Sequence, residues 1–126
     1  MQFILLAILL CATNIMAEPL RSPENIARDK YRHPIATLAF FEVKPHHKVT
    51  EIWPGGGWYS EILAPMLFQE GTLVAAHFPI DSPVAFFRNS RKKYEARMSV
   101  QPEFSNTQIS TFAPPNIINF AEKNSM

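Results

Sequence analysis

A chain of 126 residues, 47% of them hydrophobic and with a formal net charge of +1, has room for one small domain and enough apolar mass to fold it, which excludes wholesale disorder. The near-neutral balance gives no reason to expect a nucleic-acid partner. Cys11 is the single cysteine, so no intramolecular disulfide can form.

Residues 1–17, MQFILLAILLCATNIMA, carry no charged side chain. The apolar core from Phe3 to Ala12 is too short to span a bilayer, and small Ala17 precedes Glu18-Pro19. That is a signal-peptide pattern, which predicts cleavage near Ala17, export to the periplasm and no stable membrane span afterwards. A buried N-terminal helix is the alternative. Acylation of Cys11 fits less well, because bulky Leu10 precedes it.

Residues 18–47 form an N-terminal helical segment. Ser22-Pro23-Glu24 is a helix start, with a capping hydroxyl, proline at the first helical position and an acid in the first turn. Pro34 stops that helix by His33 and opens a second, short one with Ile35, Leu38 and Ala39 inward. Phe40 and Phe41 extend its apolar surface. The run Arg28–His33 predicts an Asp29–Arg32 pair on a solvated face. Tyr31 and His33 stand beside the proline, where they are either solvated or help to close a crevice over a substrate. His46 and His47 are adjacent on a turn and point apart, so no metal site is expected.

Lys48–Trp53 reads as a strand, ending in Pro54 and the glycines Gly55, Gly56 and Gly57. A helix follows, opened by Trp58 and Tyr59, with Tyr59, Leu63, Met66 and Leu67 on one face and Glu61 on another. Pro65 should kink or end it near Leu67. A glycine turn between a strand and a helix lets a ligand approach the backbone and aims free N–H groups at it. Glu51 sits in the apolar strand two residues before the turn, where a buried carboxylate is costly unless paired. The alternative is a solvent-facing acid at a sheet edge.

Leu73–Ala76 is the second strand, ending at His77. Ser82-Pro83 repeats the cap-then-proline signal and predicts a helix to about Met98, with Val84, Phe87, Tyr94 and Met98 on one stripe. Arg88, Arg91, Lys92, Lys93 and Arg97 read as its solvated basic face. Thr107–Phe112 is the third strand, and Pro114-Pro115 end it. The order of strands and helices predicts α/β, the first half of a doubly wound domain over residues 48–126.

The run Glu51-Ile52-Trp53-Pro54-Gly55-Gly56-Gly57 resembles the first motif of class I S-adenosylmethionine-dependent methyltransferases. Together with RDKYRHPIATLAFF from Arg28, VKP from Val43, EIWPGGGWYSEILAPML from Glu51 and GTLVAAHF from Gly71, it is similar to a family of predicted bacterial methyltransferases that carry a signal sequence. The resemblance implies the N-terminal half of a Rossmann-like doubly wound methyltransferase fold, with about three strands. It implies S-adenosyl-L-methionine held by Glu51, Pro54, Gly55, Gly56, Gly57, Trp58 and His77, with Glu51 toward the methionine end. It also implies direct transfer of the sulfonium methyl to an acceptor it does not name, and it names no catalytic base. Trp53 stands where most class I enzymes carry a further glycine, and His77 stands where an acid commonly holds the ribose. In that family a fourth strand follows, and this sequence stops at Asn124-Ser125-Met126. The expectation is therefore an incomplete domain with impaired transfer, which self-associates or depends on a second polypeptide for the missing strands. The rival reading is a non-catalytic exported fragment or ligand-binding module.

Overall fold

A computed structural model of the protein describes residues 19–118. The expected leader and its cleavage site lie outside the described residues, as does the end of the tail. Four helices and three strands follow one another as α1 (Pro23–Arg32), α2 (Pro34–Phe40), β1 (Lys48–Ile52), α3 (Ser60–Leu67), β2 (Thr72–His77), α4 (Ala85–Met98) and β3 (Thr107–Thr111). The strands make one parallel sheet in the order β1-β2-β3. The architecture is thus α/β, a small open parallel sheet with flanking helices. Among the described strands β1 is an edge. No described helix is long and apolar enough to cross a membrane.

The helix signals of the N-terminal segment act as their chemistry dictates. Ser22 Oγ accepts from the Asn25 N–H at 3.2 Å, and Pro23 takes the first helical position, where its missing N–H costs nothing. His33 closes α1 in the left-handed region at φ 45°, its N–H donating to Asp29 O at 2.8 Å, and Pro34 starts α2 at once. The expected inward face of α2 is only partly correct. Leu38 packs on the core, but Ile35 is 75% exposed and Ala39 is exposed too. Asp29 does not pair with Arg32. It takes two bonds from the Arg21 guanidinium, at 2.6 and 2.8 Å, which leaves Arg32 free for another surface.

The core is Leu63, Ala64 and Leu67 of α3 against Leu73 of β2 and Phe104, with Leu38, Val43, Val49 and Met98 around it. As the central strand, β2 is buried from Leu73 to His77, which is why its sequence is a continuous apolar run rather than an alternation. Phe104 arrives on a single 3₁₀ turn, Pro102–Phe104, which the sequence pattern did not single out. Gly71, just before β2, lies close against the turn that leads into β1, where a Cβ would collide with the carbonyl oxygens of Pro45 and His47.

Two expectations about the helices need correction, at the start of α3 and at Ser82. α3 begins at Ser60, two residues after Trp58, because the glycine turn continues through Tyr59. Glu61, on another face of α3 from Leu63 and Leu67, is buried too: its carboxylate is bonded to Arg97, accepts from Asn25 Nδ2 at 2.7 Å, and has Arg21 Nε at 3.7 Å. Ser82 does not cap α4. Its Oγ accepts from the Val84 N–H at 3.2 Å, and the helix starts at Ala85 with no side-chain cap.

The basic face of α4 is not wholly solvated either. Arg91 is buried and gives Nη1 to Phe78 O, Ser110 O and Thr111 Oγ1 at 3.0 to 3.2 Å, and Nε to Glu95 at 2.6 Å. Carbonyls at and just past the ends of β2 and β3 need donors, and a buried guanidinium supplies several at once. Lys92 and Lys93 remain exposed.

Candidate functional site

The chain leaves β1 through a strained turn at the carboxyl end of the sheet. Trp53 continues the ladder by donating its N–H to Ala76 O at 2.8 Å, but its backbone lies at φ 50°, in the region that favours glycine. The large ring is held in that conformation by an Nε1 bond to Phe112 O at 3.0 Å and by stacking on Phe78, with centroids 5.6 Å apart. Gly55 and Gly57 also have positive φ, at 58° and 83°, and the Gly57 N–H closes the turn onto Pro54 O at 2.8 Å.

The turn's carbonyls face inward. His77 Nδ1 accepts from the Phe78 N–H at 2.8 Å, so Nε2 carries the proton and donates to Gly55 O at 3.3 Å. Arg97 Nη1 donates to Gly56 O at 3.4 Å. Across a trans peptide the N–H points opposite to the C=O, so the Gly56 N–H is directed away from the interior. The N–H groups of Gly55 and Gly56 find no protein acceptor among the described residues.

Over this turn lies a cleft of about 480 Å³, in the size range of small-molecule sites. Glu51, Pro54, Gly55 and Gly56 line one side, Trp53, Trp58 and Tyr59 supply aromatic walls, and α1 covers it with Asn25, Arg28 and Arg32. Trp58 is buried and donates Nε1 to Asn25 O at 2.8 Å, which fastens α1 over the cleft. The Arg32 guanidinium carbon sits 4.1 Å from the Trp58 ring centre, a cation–π contact. Among the described residues no cluster of His, Cys, Asp and Glu could hold a metal ion.

Glu51 is the cleft's carboxylate. Its Oε2 accepts from Ser60 Oγ at 2.5 Å. Burial pushes its carboxyl up to about 7, while the Ser60 hydrogen bond and the charge of Arg32 pull the other way. Beyond Ser60 the Tyr94 hydroxyl is 2.8 Å away, and burial raises that phenol. On the far side of Trp53 a second, apolar slot of about 540 Å³ is lined by Phe78, Phe87, Phe112 and Pro83.

The residues singled out from sequence separate into two groups. Glu51, Pro54, Gly55, Gly56 and Trp58 come together around the cleft. Gly57 and His77 do not line it: Gly57 is buried with its open side against the Tyr94 ring, 3.1 Å from where a Cβ would be. His77 is fully buried beneath the turn, and burial lowers its pKa, so it is a neutral tether for Gly55. Helix α1 lies over the cleft, but neither Tyr31 nor His33 lines it. Tyr31 is 74% exposed, with Lys30 beside its ring, and His33 borders a surface dent with Pro34 and Ile35. The residues that do reach the cleft are Asn25, Arg28 and Arg32, spaced three and four apart along one helix face, and that spacing was available in the sequence. Ser60 and Tyr94 carried no such signal.

No known family model, no curated protein and no solved structure matches this chain.

Proposed function

We propose that the cleft binds the amino-acid end of S-adenosylmethionine and that the protein is a methyltransferase-like protein built around that cleft. The observation that carries this reading is the convergence of the Glu51 carboxylate, the Arg28 and Arg32 side chains and the Gly56 amide, opposite the Gly55 carbonyl that His77 holds, on one small volume. An α-amino acid presents an ammonium and a carboxylate a few ångströms apart. Glu51 suits the first; Arg28, Arg32 and the Gly56 N–H suit the second.

The fit is good at this end and weaker beyond it. A ribose would find no acid at the end of β2, because His77 is buried and both its ring nitrogens are bonded. A nucleobase would find the apolar slot across Trp53, where stacking on an aromatic wall favours a flat ring. Bound S-adenosylmethionine supplies an electrophilic methyl group on its sulfonium. This chain's own residues would bind and orient it, with Trp58 and α1 excluding water.

A second reading, a ligand-binding module without transfer, is favoured by the make-up of the cleft. Glu51 is the one carboxylate among its lining residues, which include no His, Cys or Lys, and in the proposed pose it is committed to the ligand. Calorimetric titration with S-adenosylhomocysteine tests the binding common to both readings. Saturable heat is expected for the wild type, with at least a tenfold loss in Gly56→Val, whose side chain would enter open space at the cleft wall. Absence of heat, or equal affinity in the variant, contradicts the proposal.

A further inference from the structure

One Glu51 oxygen, Oε2, accepts from Ser60 Oγ at 2.5 Å, while Glu51 itself lines the cleft. Ser60 is fully buried, and its oxygen also lies 2.8 Å from the Tyr94 hydroxyl. A serine hydroxyl has one proton to give, and a carboxylate only accepts. Ser60 therefore donates to Glu51 and takes its second bond from Tyr94, so the chain runs from Tyr94 through Ser60 to Glu51. The three groups come from α4, α3 and β1. The far end is fixed by the Tyr94 ring, seated against Gly57 and with the His77 ring 5.1 Å away. If Oε2 carries a proton, the chain must reverse, and the Tyr94 proton then has no acceptor among the described residues.

We infer that Ser60 and Tyr94 are positioning residues for the cleft: their hydroxyl chain orients the Glu51 carboxyl and favours its anion beside the ligand, so that uptake of a cationic ligand group switches on when Glu51 loses its proton. The neighbours on every side fit this arrangement. From α1, Arg32 favours the anion, and Arg28 lines the same cleft. From α4, Tyr94 stays protonated as the donor the chain needs, because burial raises its pKa and the Glu51 charge adds to that, against the opposing effects of the Ser60 hydrogen bond and Arg97. From β2, buried His77 is neutral and adds no charge. Burial of Glu51 sets the transition at about 7, where small changes in pH move it. The cationic-ligand half of the inference rests on the reading of the cleft proposed above; the hydroxyl chain does not.

The test is a carbon-13 NMR titration of the Glu51 carboxyl in wild type, Ser60→Ala and Tyr94→Phe, paired with calorimetry of S-adenosylhomocysteine over a pH series spanning the Glu51 midpoint. Losing a hydrogen bond to the charged form should raise the midpoint by about one pH unit in Ser60→Ala and by less, in the same direction, in Tyr94→Phe. The pH of half-maximal affinity should move with it, and the high-pH affinity plateau should be retained in Tyr94→Phe. Unchanged midpoints in both variants overturn the chain. Shifted midpoints with pH-independent affinity overturn the switch. Shifted midpoints with no binding at any pH support the chain and overturn the cleft's ligand assignment.

Discussion

The ring of Tyr94 lies so close to Gly57 that a Cβ on the glycine would sit 3.1 Å from Tyr94 Cε2. The third glycine of the turn thus makes room for an internal side chain and leaves ligand contact to its neighbours. Gly57 also has φ 83°, so an added side chain is strained as well as crowded. Gly57→Ala is expected to destabilise the fold by about 1–3 kcal/mol. Gly56 does not have a positive φ, and a Cβ there would meet nothing within 4 Å, so Gly56→Ala should stay within about 0.5 kcal/mol of wild type. Urea denaturation of the two variants measures the difference.

Glu51 and His77 should give the fold opposite responses to pH. The Glu51 carboxyl titrates higher in the fold, at about 7 against an ordinary 4.5. Between those values the folded chain keeps a proton that the unfolded chain has lost, so Glu51's contribution is fully present below 4.5 and is lost as pH rises to about 7. The full swing is about 3 kcal/mol. His77 is lowered by burial from 6.5, so its contribution is present above that pH and is lost as pH falls through its folded value. Melting temperatures over a pH series should show Glu51→Gln losing stability on acidification and His77→Gln gaining it, each relative to wild type. Equal slopes in the two variants would contradict the assignment.

The buried Glu61 carboxylate should make its ion pair asymmetric. Glu61 has no exposed side-chain surface, whereas Arg97 and Arg21 keep 28% and 24% of theirs. An arginine that loses Glu61 can turn to water, whereas Glu61 without Arg97 stays buried with only Asn25 and the more distant Arg21 for partners. Arg97→Met is therefore expected to cost about 3 kcal/mol and Glu61→Met clearly less. Denaturant midpoints for the two single variants and the double variant decide it. A Glu61→Met loss as large as that of Arg97→Met would show that the arginine is not relieved by solvent.

Gly71 offers a test of the fold independent of the cleft. A Cβ there would strike two backbone carbonyls, Pro45 O and His47 O, and backbone gives way less readily than a side chain. Gly71→Ala should destabilise by about 2 kcal/mol or more, with the Thr72 N–H to His47 O bond among the first lost. Amide hydrogen exchange at Thr72 reads that bond directly.

Much of the fold was legible because each element carries its own local chemistry. Ser22-Pro23 and His33-Pro34 fix the ends of α1 without reference to anything distant, and the unbroken apolar run of β2 reflects burial on both faces. What was hidden depends on contacts far apart in sequence. Arg91 looked like one more solvated cation until the ends of β2 and β3 placed carbonyls around it. The burial of Glu61 was not readable, because its partners, Arg21, Asn25 and Arg97, come from three other segments. At the site, Glu51 and the first two glycines were readable from their place at the strand end. The roles of Gly57 and His77 were not, since only the position of Tyr94 and the direction of the Gly55 carbonyl decide which way they face.

The central claim, that a ligand with an amino-acid head occupies the Glu51 cleft, has a built-in reporter. The chain has two tryptophans, Trp53 and Trp58, and both line that cleft. Titration of intrinsic tryptophan fluorescence with S-adenosylhomocysteine should give a saturable change in wild type, a weaker response in Glu51→Gln, and none in Gly56→Val at the same concentrations. A flat wild-type titration, or identical curves for all three proteins, would contradict the account.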